Sequence, residues 1–301
     1  MALCLAWLCI SSPETGAASP CEPPKVARHV VDGVTGAPAP DSLTVASFNI
    51  HGGYRIIDPL VAWVESRALD VVVLQEVGNQ TMDGDAIAME LAGRLGFHAA
   101  YVPTRREEGF TQGLAMLSRY PLDDLRIEPL PYHNLRFRSR CRVALSATVL
   151  TGAHTVRVVN LHLDTRINSG SRVAQLGPVL ERLREDGAAQ SAAHGVAPGL
   201  ADGVAQIVAG DFNTITVGWW QSTLPLPFAQ HQGAAVSAAM TAEGFVTPFG
   251  ETRATFKFAG LPLRLDWIYL KRLAALDWSV DDVPFSDHRG IWTRVALGPP
   301  L

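Results

Sequence analysis

Several apolar stretches of this chain end on side chains able to hold a cation or move a proton. LTVASFNIH (43–51) carries Asn49 and His51, and VVVLQE (71–76) closes on Glu76. In VVNLHLD (158–164) the two-residue alternation of a strand puts Asn160, His162 and Asp164 on one face. VAGDFN (208–213) aims Asp211 and Asn213 the same way if the strand persists. LDWI (265–268) holds Asp266, and SDH (286–288) adds Asp287 and His288. Each alone has an ordinary structural reading: Asn49 a turn residue, Asp266 a satisfied core or edge carboxylate, Glu76 a solvated strand end, His162 a hydrogen-bonded core histidine. Together they place amides, carboxylates and imidazoles repeatedly at the ends of apolar strands, far more than loop chance would do.

Hard oxygen donors without thiolates favour magnesium, with manganese or calcium as alternatives. A divalent ion, a carboxylate base and histidines suit attack of water on a phosphoester. Rival chemistries lack their parts. No Gly-x-Ser-x-Gly elbow and no P-loop occurs. The cysteines form neither a CxxC pair nor a Cys/His cluster that would hold zinc.

Strands are expected at Leu43–Ile50, Val71–Glu76, Gly113–Ser118, Cys141–Leu150, Thr155–Leu163, Gln206–Asp211, Leu265–Leu270 and Gly290–Leu297. A helix should follow Asp58-Pro59, with Asp as N-cap and Pro in the first turn. Others are predicted over Asp85–Leu95, Ser171–Arg184 and Ala234–Ala242, and 186–204 reads as a surface loop. A chain of 301 residues could form two domains. No repeat or second compositional block divides it, so one α/β domain is expected over 42–297, behind a Pro- and Gly-rich linker or peripheral arm at 19–41.

Composition bounds the reading further. With 48% hydrophobic and 18% charged residues the chain is not disordered. No apolar run reaches the roughly 18–20 residues that cross a bilayer, which excludes a helical channel or transporter. Twenty-five basic against 29 acidic residues, a net charge of -4, argue against attachment to nucleic acid by bulk charge, although a nuclease's grip can be local. ALCLAWLCI (2–10) followed by Gly16-Ala17-Ala18 predicts a signal peptide over 1–18, lacking a basic n-region, and hence a secreted or periplasmic protein. The alternative is an apolar tail on a cytosolic protein. Cys21 and Cys141 would then be the two cysteines left, and in an oxidising compartment they could form one bridge.

The segments SFNIHGG, VVLQEV, QGLAMLSRYPL, VVNLHLDT, VAGDFNT, RLDWIYL and SDHRGIW resemble, in order, the motifs of the endonuclease/exonuclease/phosphatase superfamily over roughly 42–297. The resemblance implies a four-layered α-β-β-α sandwich, an α+β fold of two packed, mainly antiparallel sheets with the site at one edge. It implies Glu76 as the principal metal ligand, Asn49 beside it and Asp287 contributing. Asp211 would orient or deprotonate the water, and Asn213 would position the phosphate. His288, held by Asp266, would stabilise charge on the phosphoryl oxygens, and His162 would contact the phosphate or protonate the leaving oxygen.

The resemblance leaves the substrate open. Nucleic acid is one reading, and a phospholipid or inositol phosphate, as for a sphingomyelinase-like enzyme, is another; a non-catalytic binding protein is a third. A monomer is expected. Arg136, Arg138, Arg140 and Arg142 alternate in LRFRSRCRV and would share one strand face, either as a phosphate-binding stripe or as a solvated edge. Arg105 and Arg106 read as a surface loop. Trp219, Trp220 and Phe228 lie in the least family-like segment, as core cover, a membrane-docking rim or base-stacking platforms.

Overall fold

Two-residue alternation sends the side chains of each apolar stretch to opposite faces, and both faces are covered. The computed structural model describes residues 21, 24–30, 40–52, 54–136, 139–152, 154–193, 204–215, 218–220, 224–226, 232–250, 253–258, 261–284 and 286–298. In chain order the elements are β1 (Ala27–His29), β2 (Ser42–Gly52), α1 (Ile57–Ser66), β3 (Val71–Val77), α2 (Gly84–Leu95), β4 (His98–Glu107) and β5 (Phe110–Ser118). Next come β6 (Leu122–Pro129), β7 (Val143–Leu150), β8 (Thr155–His162), α3 (Ser169–Ala193), β9 (Ala205–Asp211), β10 (Gly218–Trp220), β11 (Leu224–Leu226) and α4 (Gln232–Ala242). The chain closes with β12 (Phe256–Phe258), β13 (Leu261–Leu263), β14 (Asp266–Lys271), β15 (Ala275–Asp281) and β16 (Gly290–Ala296).

One sheet has the order β1-β4-β5-β3-β2-β16-β15 and the other β14-β9-β8-β7-β6. Each is antiparallel except at its centre, where β2 runs parallel to β3 and β8 parallel to β9. The two pairs β10–β11 and β12–β13 stand apart from both sheets. Along β2 and β3, Val45, Val71 and Val73 point between the sheets, while Phe48, Val72 and Leu74 point to α1 and α2. Along β8 and β9, Val158, Ile207 and Ala209 point between the sheets, while Leu161 and Val208 point to α3 and α4. The result is the expected four-layered α-β-β-α sandwich.

This phase decides where the chemistry goes. Asn49 and Gln75 follow Val45 and Val73 on the inner face, and Asn160, His162 and Asp211 follow Val158 and Ala209 there. The polar ends of the central strands therefore meet in the gap between the sheets, at one edge of the sandwich.

Several expectations are corrected. Asp58 is not an N-cap: α1 starts at Ile57, so Asp58 and Pro59 both lie in its first turn. The helix predicted over Ser171–Arg184 runs on through Ala193, across Pro178, so 186–193 is helix rather than loop. Among the described residues the arginine stripe does not form. Local turns win over the strand, because Asn134 Oδ1 accepts from Arg136 N–H (2.9 Å) and Ser139 Oγ from Leu135 N–H (2.8 Å). Arg136 adopts φ +59°, and β7 begins only at Val143. Strands β4, β6 and β15 escape the pattern because Ala, Pro and half-exposed polar residues interrupt their alternation.

Cys21 and Cys141 form a disulfide, Cα–Cα 5.6 Å across 120 residues of chain. It ties the segment before β1 to the loop before β7 of the second sheet, while β1 pairs with β4 of the first. Residues 1–18, Arg138 and the side chains of Trp219, Trp220 and Phe228 lie outside the described residues. Among the described residues no helix is long and apolar enough to cross a membrane.

Candidate active site

Ladder register sets the first geometry of the site. Asp211, at the end of β9, pairs with His162 on β8 and with Asp266 on β14, so three adjacent strand ends carry His162, Asp211 and Asp266 side by side. From the facing sheet β2 and β3 bring Asn49 and Glu76. Asn49 Nδ2 donates to Asp211 Oδ2 at 3.1 Å and Glu76 Oε1 at 3.4 Å, which ties the sheets together through two carboxylates. His162 Nε2 lies 3.4 Å from Asp211 Oδ2 and 3.9 Å from Glu76 Oε1.

Both central ladders of the first sheet break where Glu76 sits. Register shifts between Asn49 and Gly52 on β2, and between Leu74 and Val77 on β3. Glu76 adopts φ +55°, His51 +47° and Asn213 +51°. Positive φ costs a residue with a Cβ on the order of 1–2 kcal/mol. Three such residues at one edge are held there by the surrounding structure, and the bulges re-aim Glu76 out of the ladder.

The bulge in β3 has a buried support. Asn160 Nδ2 donates across the gap to Leu74 O (2.9 Å) and Ala115 O (2.8 Å), carbonyls that the shifted ladder abandons. Its oxygen accepts from Gln75 Nε2 at 2.8 Å. Both amides are fully buried. Asn160→Ala strands the two carbonyls, while Gln75 Nε2 keeps Ser47 Oγ and Val73 O, and since each unsatisfied group costs roughly 1–3 kcal/mol, unfolding in urea should show a loss of at least about 2 kcal/mol. A loss below about 1 kcal/mol would refute this support.

The last residues arrive from the chain before β16. His288 Nδ1 is 2.9 Å from Asp266 Oδ2, and its Nε2 is 3.8 Å from Asp211 Oδ2. Asp287 Oδ1 lies 3.6 Å from His51 Nδ1, whose other neighbour is Glu76 Oε2 at 3.8 Å. The eight residues to which the resemblance gives a role therefore converge. Asp164 does not join them: Arg142 Nε (2.9 Å) and Gln175 Nε2 (2.8 Å) hold it beneath the loop after β8.

Other supporting residues carry little sequence signal. Thr255 Oγ1 accepts from the Leu265 and Asp266 N–H groups (2.9 and 3.0 Å), fixing the start of β14 from a segment with no periodicity. Ser286 Oγ donates to Asn49 O (2.7 Å) and accepts from His288 N–H (3.0 Å), linking the two sides of the site. Only this second bond, a local hydroxyl turn, is legible in SDH. Arg172, fully buried on α3, donates to Phe212 O (3.0 Å) and Ile167 O (3.1 Å) and clamps the loop bearing Asn213.

Charge in the site is polarised. Burial pushes the Asp211 carboxyl up to about 7; the His288 cation pulls it back, Asp266 adds to the rise, and the Asn213 N–H and Asn49 amide oppose it. Burial disfavours a charged His288 too, but Asp266 and then Asp211 outweigh it, and the imidazole is pushed up to about 10. Burial, then Arg142 and Arg140, hold His162 well below the ordinary range, as a neutral ring. His288 therefore gains a proton on folding, and the stabilisation is complete below its ordinary value of 6.5 and lost as pH climbs toward 10. Asp211 has already ionised above about 7. With chelator present, Tm should fall by about 5 °C or more between pH 7 and 10, and His288→Asn should flatten that slope. An equal slope in the variant would refute the charged pair.

The sequence model of the endonuclease/exonuclease/phosphatase family matches residues 46–288, from β2 to the His288 that completes the site. The chain belongs to that family. Members of the endonuclease/exonuclease/phosphatase family are phosphoesterases, and the protein is accordingly a hydrolase of phosphoester bonds. Its fold is similar to the endonuclease/exonuclease/phosphatase of Beutenbergia cavernae DSM 12333 (TM-score 0.63, 21% identity, 87% of this chain and 73% of that one). It is similar also to the human Nocturnin catalytic domain with bound sulfate anion (0.61, 17%, 86% and 95%) and to truncated Caenorhabditis elegans TDP2 (0.57, 18%, 85% and 97%). No curated protein matches the chain.

Proposed function

We propose that the protein is an exported, divalent-metal-dependent phosphodiesterase acting on nucleic acid. The observation that carries the chemistry is the continuous relay Glu76–Asn49–Asp211–His288–Asp266 along the open sandwich edge.

The donor set fits a hard cation. Glu76 and Asp287 are the more open carboxylates, and Asp287 Oδ1 is buried without a hydrogen-bond partner. Asp211, Asp266 and His288 also lie close enough to share an ion. That set is a poorer candidate, because Asp266 Oδ2 and His288 Nδ1 already face each other at 2.9 Å. Glu76 and Asp287 would hold the ion, magnesium being the best match to oxygen donors. Asn49 turns its amide nitrogen toward Glu76 and Asp211 and its oxygen toward His51 N–H (3.1 Å), so it positions the carboxylates. When bound, the ion supplies positive charge against charge accumulating on the phosphoryl oxygens.

The chain's own groups do the rest. Asp211, with a carboxyl poised near neutrality, takes the proton of the attacking water. Asn213 N–H holds Asp211 Oδ1 at 2.9 Å, and its side-chain nitrogen donates one hydrogen to Leu163 O, leaving the other for a phosphoryl oxygen. His288, kept cationic by Asp266, stabilises the same oxygens. His162, neutral, contacts the phosphate rather than acting as the acid. Export is supported by the Cys21–Cys141 disulfide, since such bonds persist in oxidising compartments.

Plasmid DNA, RNA, sphingomyelin and inositol phosphates, each incubated with magnesium and with chelator, test the reading. Chelator-sensitive nicking of DNA or cleavage of RNA is expected. Phosphocholine release would move the protein to lipid substrates, and inactivity of the folded, magnesium-bound protein on every substrate would overturn catalysis.

A further inference from the structure

Two cavities adjoin beside the disulfide, of about 430 and 470 Å³, sharing Thr104, Arg105, Arg106 and Cys141. Their walls are strongly basic. Lys25 comes from the segment before β1, Arg105 and Arg106 from β4, and Arg140 and Arg142 from the loop before β7, with Glu107 the one acidic residue lining them among the described residues.

These cations are not equally engaged. Arg142 is spent on Asp164, and Arg105 pairs with Glu107 and lies over the Phe110 ring. Arg140 is half-buried yet has neither a hydrogen bond nor an ion pair among the described residues, and exposed Arg106 likewise has none. Burying an unpaired guanidinium is unfavourable. Burial, with Arg142 and Arg105 beside it, weakens the hold of Arg140 on its proton, and Glu76 opposes this from the catalytic side. Arg140 lines one cavity and Arg142 the other, and Arg142 reaches Asp164, two residues beyond the catalytic His162, so the cavities adjoin the catalytic edge. The disulfide at the neighbouring Cys141 fixes this wall and brings the segment with Lys25 against it, so the cluster is preorganised before any ligand arrives.

We propose that the joined cavities are an anion subsite that receives a second phosphate of the substrate, with Arg140 and Arg106 as its ligands. Resting on the phosphodiesterase reading above, this makes the substrate one that carries several phosphates: the neighbouring phosphate of a nucleic acid strand, or the same group on a multiply phosphorylated inositol. A lipid with a single phosphodiester has nothing to place there. The family motifs do not include this subsite. Cys21 and Lys25 precede the first of those motifs, and Arg106, Arg140 and Cys141 lie between them in sequence.

The test measures binding without turnover. The disulfide-bonded protein and its Arg140→Gln variant are titrated in chelator with a fluorescent single-stranded oligonucleotide and, separately, with inositol hexakisphosphate. Arg140→Gln should raise Kd at least 10-fold for the true source. For an oligonucleotide it should also flatten the plot of log affinity against log salt by about 0.7 per lost phosphate contact. Hydrolysis of bis(p-nitrophenyl) phosphate with magnesium, an ester with one phosphate, should stay within about twofold of wild type for Arg106→Gln, whose exposed side chain touches no catalytic residue. Arg106→Gln, at an exposed position, keeps the test intact if Arg140→Gln misfolds. Unchanged affinity for both anions overturns the subsite, as does an equal loss on the one-phosphate ester. If Arg140-dependent binding occurs but no phosphoester is cleaved, the subsite stands and the catalytic reading fails; if DNA is cleaved but Arg140 is irrelevant to affinity, the reverse holds.

Discussion

Asp211→Asn lowers kcat by about 10³-fold, in line with the loss of a positioned general base, and at the same time makes the protein more heat-stable above pH 7. Asp211 is enclosed by His162, Asn49, His288 and the Asn213 N–H, and an amide keeps its shape and most of these neighbours. What it loses is the capacity to accept a proton. The stability gain follows from the same burial. The carboxyl is raised in the fold from 3.8 to about 7, so the native state binds the proton more tightly than the unfolded chain and ionisation opposes folding. An amide has no such penalty. Its advantage is absent near pH 3 and complete above pH 7, and each kcal/mol recovered lifts Tm by about 2–4 °C. Turnover and melting curves at pH 4 and pH 8 check both halves. Activity within tenfold of wild type would remove Asp211 from the chemistry, and a lower Tm at pH 8 would show that its charge supports the fold.

Glu76→Ala abolishes most turnover, a loss of about 10³-fold or more of the kind seen when transition-state charge stabilisation is removed, and weakens magnesium binding at least 10-fold. Glu76 is partly open, faces His51 on one side and Asn49 and His162 on the other, and is aimed there by a strained backbone. Since a ligand that binds only the folded state raises Tm in proportion to its affinity, the increment in Tm produced by saturating magnesium should shrink in the variant. The metal-free variant should melt no lower than metal-free wild type, because removing one of several clustered carboxylates relieves repulsion. Wild-type turnover at saturating magnesium, or an undiminished magnesium increment, would take the ion away from Glu76.

The two variants also separate kinds of legibility. Glu76 and Asp211 are visible in one dimension because each closes an apolar strand, and strand, polar terminus and motif are local features. Even the inner-face placement of Asn160 and His162 follows from alternation alone, and β8 carries it out. Alternation fails where local turns compete: LRFRSRCRV satisfies every rule for a strand face, yet the Asn134 and Ser139 side chains capture the backbone first. Asp164 fails differently, since the strand ends at His162 and a buried arginine takes its carboxylate.

Residue order by itself therefore establishes the layer architecture, the identity of the eight converging residues and the family to which they belong. These depend on periodicity and motif, which are properties of neighbours along the chain. The relay depends instead on register and on two bulges that the packing of distant strands imposes. Tertiary structure alone decides that Asn49 bridges two carboxylates and that Asn160 supports the bulge behind Glu76, whereas the hold of Asp266 on His288 is already implied by the motifs. It alone joins Cys21 to Cys141 and so sets Lys25, Arg106 and Arg140 around one cavity wall. The reason is physical: each of these arrangements is a distance between residues remote in sequence, and such distances are set by which faces bury together.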